Sequence, residues 1–75
     1  MTLHDVFAKA LGIPNDAVHD GLEYNSIKEW DSVAHMALVS ALEERYNILL
    51  DTDDVIDLSS IGKAREILSK YGIEA

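Results

Sequence analysis

A chain of 75 residues is long enough for one domain and too short to enclose a deep catalytic cleft, because folding at this size removes only about 60–65% of the extended chain's surface from water. It has no cysteine, which excludes a disulfide framework and a thiolate metal site, while a hydrophobic content of 48% is too high for a disordered chain and no apolar run is long enough to span a membrane. Fourteen acidic against six basic residues give a net charge of −8, a field that repels nucleic acid and anionic lipid. Asp5 and Lys9 interrupt the first apolar segment, unlike the uncharged centre of a secretory signal, so the expectation is one soluble, cytoplasmic, monomeric domain covering residues 1–75.

In chain order, Leu3, Val6, Phe7, Ala10 and Leu11 follow the helical i, i+3, i+4 pattern, with Thr2 as N-cap and Gly12 and Pro14 as the stop. From Ile13 to Trp30 the periodicity is lost among Pro14, Asn15, Asp16, Gly21 and Asn25. Val18, Leu22, Ile27 and Trp30 recur there as apolar pins, so the segment reads as a long loop held onto a core, with a helical turn expected near Asn15–Val18. Asp31 suits the N-cap of a second helix whose inner face is His35, Leu38, Val39, Leu42 and Tyr46. That phase leaves Val33 and Met36 on the outer face beside Ser40, Glu43 and Glu44, an apolar pair where a solvated surface is expected. Asp51–Asp57 supports a turn or two of helix, with Thr52 as a possible cap and only Val55 and Ile56 to bury. Ser59 or Ser60 caps a last helix with Ile61, Ala64, Ile67, Leu68 and Tyr71 inward, and Gly72 closes it. No alternating strand pattern occurs. The expected fold is all-α, a small bundle of three main helices plus a short third one.

Charge is unevenly placed. Residues 29–57 hold eight acids and one base, a net −7, and the rest of the chain holds six and five, a net −1. Within the acidic stretch, Ser32 falls at the first helical position after Asp31, where unpaired amides make a helix end partly positive and hospitable to a phosphate group. Serine is common at helix starts, so position alone does not assign it a task.

The surrounding residues add a second signal. The run Glu29-Trp30-Asp31-Ser32-Val33-Ala34-His35-Met36, continued by Leu38, Leu42-Glu43-Glu44 and Tyr46, resembles the attachment site and second helix of the acyl carrier protein family, and Asp57-Leu58-Ser59-Ser60-Ile61 resembles that family's turn into its last helix. The resemblance covers nearly the whole chain. It implies that Ser32 is esterified by 4′-phosphopantetheine from coenzyme A, with Asp31 as motif residue and N-cap. It also implies that the chain carries acyl or aminoacyl groups as thioesters and catalyses nothing itself. The implied partners are a phosphopantetheinyl transferase, an acyl- or aminoacyl-loading enzyme, and synthase or transferase enzymes whose basic patches meet Val33, Met36, Glu43 and Glu44. Val33 stands where the family usually has leucine, and Ala34 and Ala37 where fatty-acid carriers usually have acids. Trp30 and His35 look more like free-standing carriers of specialised pathways, aminoacyl or polyketide among them, than like the housekeeping fatty-acid carrier.

Two other readings compete. An unmodified interaction domain with the same fold would share the acidic face without the arm. A Ser32–His35 hydrolase would need an orienting acid, an oxyanion hole and a cleft that the sequence does not supply, and the helical phase of His35 points it at the core, where bonding a loop carbonyl is its expected role. The Asp51-Thr52-Asp53-Asp54 run suggests calcium, but the EF-hand positions for glycine and glutamate hold Ile56 and Gly62.

Overall fold

Three of the four helices end by the same device, a left-handed residue that lets the next two amides turn back onto the last helical carbonyls. In a computed structural model describing residues 1–75, α1 (Leu3–Leu11) ends at Gly12 with φ 69°, and α2 (Ser32–Tyr46) ends at Asn47 with φ 54°. Helix α3 spans Thr52–Asp57, and α4 (Ile61–Lys70) ends ahead of Gly72 with φ 80°. The Ile13 amide bonds the Ala8 carbonyl, Ile48 that of Glu43, and Ile73 that of Leu68, so each helix is followed by an isoleucine packed on the core in the hydrophobic position of a Schellman ending. The sequence reading placed Gly12 and Gly72 correctly and did not identify Asn47 as the third such residue.

Helix starts are set by side chains. Thr2 and Asp5 form a reciprocal capping box on α1, with the Thr2 hydroxyl accepting from the Asp5 amide at 3.2 Å and the Asp5 carboxylate accepting from the Thr2 amide at 3.0 Å, worth about 0.5–2 kcal/mol to such a helix. Asn15 donates to the other oxygen of Asp5, fastening a 3₁₀ turn at Asn15–Ala17 to the first turn of α1. The Ser60 hydroxyl accepts from the Lys63 amide at 3.1 Å and starts α4. For α3 the N-cap is Asp51 rather than Thr52, which is its first helical residue, and no side chain caps it.

The core joins Leu3, Val6, Phe7, Ala8 and Leu11 of α1 to Leu38, Val39 and Leu42 of α2 and to Ile61, Ala64, Ile67 and Leu68 of α4. The expected pins Val18, Leu22 and Trp30 are buried with them, and Ile27 is half-buried. The single strand-like contact is an antiparallel bridge between Glu23 and Ser60, through which the Tyr24 amide reaches the Ser59 carbonyl at 2.8 Å and ties the long loop to the start of α4. The all-helical bundle agrees with the sequence expectation, and no helix is long and apolar enough to cross a membrane.

Helix α3 corrects the expectation for its own packing. Ile56 is 71% exposed and Val55 only half-buried, while the residue turned inward is Asp54, 3% exposed. Its carboxylate accepts from the Tyr71 hydroxyl at 2.7 Å and from the Lys70 ammonium, and the Tyr71 oxygen in turn accepts from the Asp51 amide at 3.1 Å. Polar bonds therefore tie α3 to the end of α4, beside the apolar contact of half-buried Val55 and of the buried C-cap Leu58 with the core. The Lys70 and Tyr71 bonds hold the Asp54 carboxyl below its ordinary range, and the same pair of bonds raises Lys70 and Tyr71 above theirs.

Candidate functional site

The start of α2 is built on Trp30, the residue before its N-cap. Trp30 is wholly buried, edge-on to Phe7 of α1 at 5.6 Å between ring centroids and edge-on to Tyr24 at 6.2 Å, contacts worth about 0.5–1.5 kcal/mol each beyond the area they bury. The loop that delivers it is bonded to itself. The Asn25 amide meets the Trp30 carbonyl at 3.0 Å with Asn25 in the left-handed region at φ 65°, and Ser26 closes a turn onto the Glu23 backbone.

From Trp30 a hydrogen-bond relay crosses to α3. The indole N–H donates to His35 Nδ1 at 3.0 Å, and His35 Nε2 lies 2.8 Å from the Val55 carbonyl. An indole nitrogen can only donate, so Nδ1 is the acceptor and the imidazole proton sits on Nε2, donated to Val55. Both ring nitrogens are occupied, which leaves His35 no lone pair to act as a base on Ser32. The expected role was to bond a loop carbonyl; it does bond a backbone carbonyl, but one that belongs to helix α3.

Asp31 is extended at φ −101° and its Oδ1 accepts from the Ala34 amide at 2.9 Å, as an N-cap should. The first backbone bond of α2 runs from the His35 amide to the Asp31 carbonyl at 2.8 Å. The Ser32 and Val33 amides come before it and bond no protein acceptor. Ser32 is exposed beside them. A phosphate ester on its oxygen would lie at the positive end of a helix of 15 residues, where the Ser32 and Val33 amides are free to donate.

Val33 and Met36 lie on the same exposed arc, 77% and 54% accessible, and Glu44 is exposed two turns further on. Glu43 departs from the expected arrangement. It is half-buried, and its carboxylate accepts from the Leu50 amide at 2.9 Å, so it pins the α2–α3 loop instead of standing free on a docking rim. Leu49, 81% exposed on that loop, is an apolar surface residue the sequence reading did not single out. The Asp51–Asp54 run is likewise divided, with Asp51 and Asp53 facing solvent and Asp54 facing α4.

The bundle presents an exposed hydroxyl, Ser32, at the start of its longest helix, beside a histidine with no free nitrogen. The family model described as the phosphopantetheine attachment site matches residues 2–68, and the chain belongs to that family. Among curated proteins none matches it. The family's members are carriers, not catalysts, that bear a covalently attached 4′-phosphopantetheine. This chain is accordingly a phosphopantetheine-dependent carrier that works with a phosphopantetheinyl transferase and biosynthetic enzymes.

Proposed function

We propose that Ser32 is the attachment residue and that the chain, as a monomer, receives acyl or aminoacyl groups from a loading enzyme and presents them to synthase or transferase partners. The observation that carries this reading is the pairing of an exposed Ser32 hydroxyl with the two free amides of the α2 start, fixed by the Asp31 cap and the buried Trp30. The arm supplies a terminal thiol on which a carried group is held as a thioester. The protein's part is to hold the ester oxygen at one place and orientation, so that a docked partner meets the carried group at high effective concentration. Val33 and Met36 form the apolar centre of the docking face, with Glu44 as its charged edge, steering the carrier to basic patches.

The other hydroxyls supply controls. Thr2, Ser26 and Ser60 are engaged in local bonds, Ser59 is half-buried, and Ser40 and Ser69 lie within helices away from their starts. Thr52 is the nearest competitor, exposed at the first position of α3, but that helix has only six residues and a correspondingly weak end field. Intact mass and peptide mapping after incubation with coenzyme A and a broad-specificity phosphopantetheinyl transferase test the assignment. Wild type gains one arm at Ser32, and Ser32→Ala gains none while its stability changes by no more than about 0.5 kcal/mol. An arm on Thr52 or any other hydroxyl would refute the residue assignment, and a wild type that stays unmodified would make the chain an interaction domain of carrier fold.

A further inference from the structure

Helices α1 and α2 leave a groove between them of about 510 Å³, floored by Val6, Ala10, Ala37 and Ala41 and walled by Lys9 and Arg45. Its charge is at odds with the rest of the chain. With Glu44 on its rim and Met1 at one end, the side chains lining the groove carry two cations and one anion, on a protein of net charge −8. Neither cation is matched internally. The ion pairs of the structure are Arg65–Asp20 and Lys70–Asp54, so Lys9 has no carboxylate partner. Arg45 gives its Nε proton to the Met1 carbonyl at 3.0 Å and lies 5.0 Å over the Tyr46 ring, with its two terminal nitrogens facing no carboxylate.

We propose that this groove is a second docking surface, and that its occupant is an amphipathic helix of a partner protein with large apolar side chains flanked by carboxylates. Apolar side chains fill the space above Val6, Ala10, Ala37 and Ala41, and the flanking carboxylates pair with Lys9 and Arg45 in the helix-in-groove manner. A basic helix is disfavoured because it would bring like charge against both walls. The chain's net charge of −8 opposes a second copy and any acidic partner alike at long range, so the partner must be held by the local Lys9–Arg45 pair at contact distance, and self-association is separated from it by raising the protein's own concentration. The surface goes beyond the carrier reading and does not depend on Ser32. It also differs in sign from the outer face around Val33 and Met36, with Glu44 on the border between the two.

The test is an amide chemical-shift titration of the unmodified protein with three synthetic helical peptides: leucines flanked by glutamates, the same leucines flanked by lysines, and serines replacing the leucines between glutamates. The glutamate–leucine peptide is expected to shift the amides of Lys9, Ala10, Ala37 and Ala41, and the other two are expected to leave them in place. Lys9→Glu, an exposed change that leaves the packing alone, should weaken the first peptide by about tenfold or more as like charges meet. Ala41→Trp should abolish binding by filling the groove, with its far-UV circular dichroism confirming the fold. If the glutamate–leucine peptide leaves these amides unmoved, if the lysine peptide shifts them equally, or if raising the protein's own concentration shifts them, the proposal is overturned. Lys9→Glu bound as tightly as wild type would overturn the charge-matching on which it rests.

Discussion

Replacing His35 by phenylalanine isolates what the relay from Trp30 to Val55 contributes. Every buried side-chain nitrogen and oxygen in the protein has a hydrogen-bond partner, and His35→Phe would create the first orphan, the indole N–H of a residue with no exposed surface. Leaving such a donor unpaired costs about 1–3 kcal/mol. The Val55 carbonyl also loses its donor, but Val55 is half-buried and water can replace the bond, so its loss adds little. Phenylalanine is close to histidine in size, and the half-buried site limits what its extra apolar surface recovers. A domain of 75 residues has a total stability of about 4–11 kcal/mol, and the expected loss lowers Tm by roughly 5–20 °C. Urea unfolding followed by far-UV circular dichroism gives the loss, and a cycle with Trp30→Phe, which removes the donor itself, gives the coupling. The double variant should be less destabilised than the sum of the two singles, because no orphan remains. If His35→Phe lies within about 0.5 kcal/mol of wild type, or if the cycle is additive, the relay is not what fixes the start of α2.

The clamp on α3 makes a pH prediction. The folded value of Asp54 lies below its ordinary 3.8, so its contribution is complete above that value and is lost as pH falls through the depressed one. Lys70 and Tyr71 are raised above 10.5 and 10.0, so their share is complete below those values and lost only as pH rises through the raised ones. Thermal melts of Asp54→Asn against wild type should therefore differ most between pH 4 and 10 and converge in stronger acid. Asp5, lowered chiefly by the Thr2 amide and hydroxyl, has the same acid limb in both proteins and cancels from the comparison, and a difference that persists unchanged at the lowest pH would show that Asp54 is not held as a carboxylate. On the docking face, Glu44→Lys should slow arm transfer to Ser32 at low ionic strength, with the gap closing as salt screens the charge. Equal rates across the salt series would make Glu44 a solvating charge only.

Periodicity carried the sequence reading wherever apolar residues repeat at helical spacing over two turns or more. The inner faces of α2 and α4 are the residues expected, and that of α1 differs by one, Ala8 being buried where Ala10 was expected. The exposed pair Val33 and Met36 followed from the phase of α2, while Asp31 and Ser32 stood out through N-cap chemistry and the motif around them. The errors fall where packing is polar. In α3 the apolar residues Val55 and Ile56 looked like the ones to bury, because sequence pattern assigns carboxylates to solvent. Only the fold reveals that a lysine and a tyrosine at positions 70 and 71 reach back to neutralise and bond Asp54. Glu43 fails for the same reason. Its helical phase is that of an outer residue, and the Leu50 amide that draws it in belongs to a loop whose path no periodicity encodes. Asn47 was missed because asparagine occupies the left-handed region less often than glycine and leaves a weaker mark in the sequence.

Two kinds of attachment therefore serve two ends of one molecule. The start of α2 is fixed from three directions: by Phe7 and Tyr24 against Trp30, by His35 bridging to α3, and by Asp31 on the Ala34 amide. A residue that anchors a long flexible arm needs such fixing, since any motion of the anchor is added to that of the arm and dilutes the effective concentration a partner meets. Helix α3 buries no apolar residue fully within its own span; it is tied by the His35–Val55 bond at one side and the Asp54–Tyr71–Lys70 bonds at the other, with Val55 packed on the core and its C-cap Leu58 buried in it. Hydrogen bonds are directional, whereas apolar contact tolerates sliding, so these bonds fix the register of α3. The exposed Ile56 and Leu49 lie on α3 and the loop before it, while Ser32, Val33 and Met36 lie on the first turns of α2. On the proposed attachment at Ser32, the anchor and the exposed pair beside it therefore sit on the most firmly fixed part of the fold.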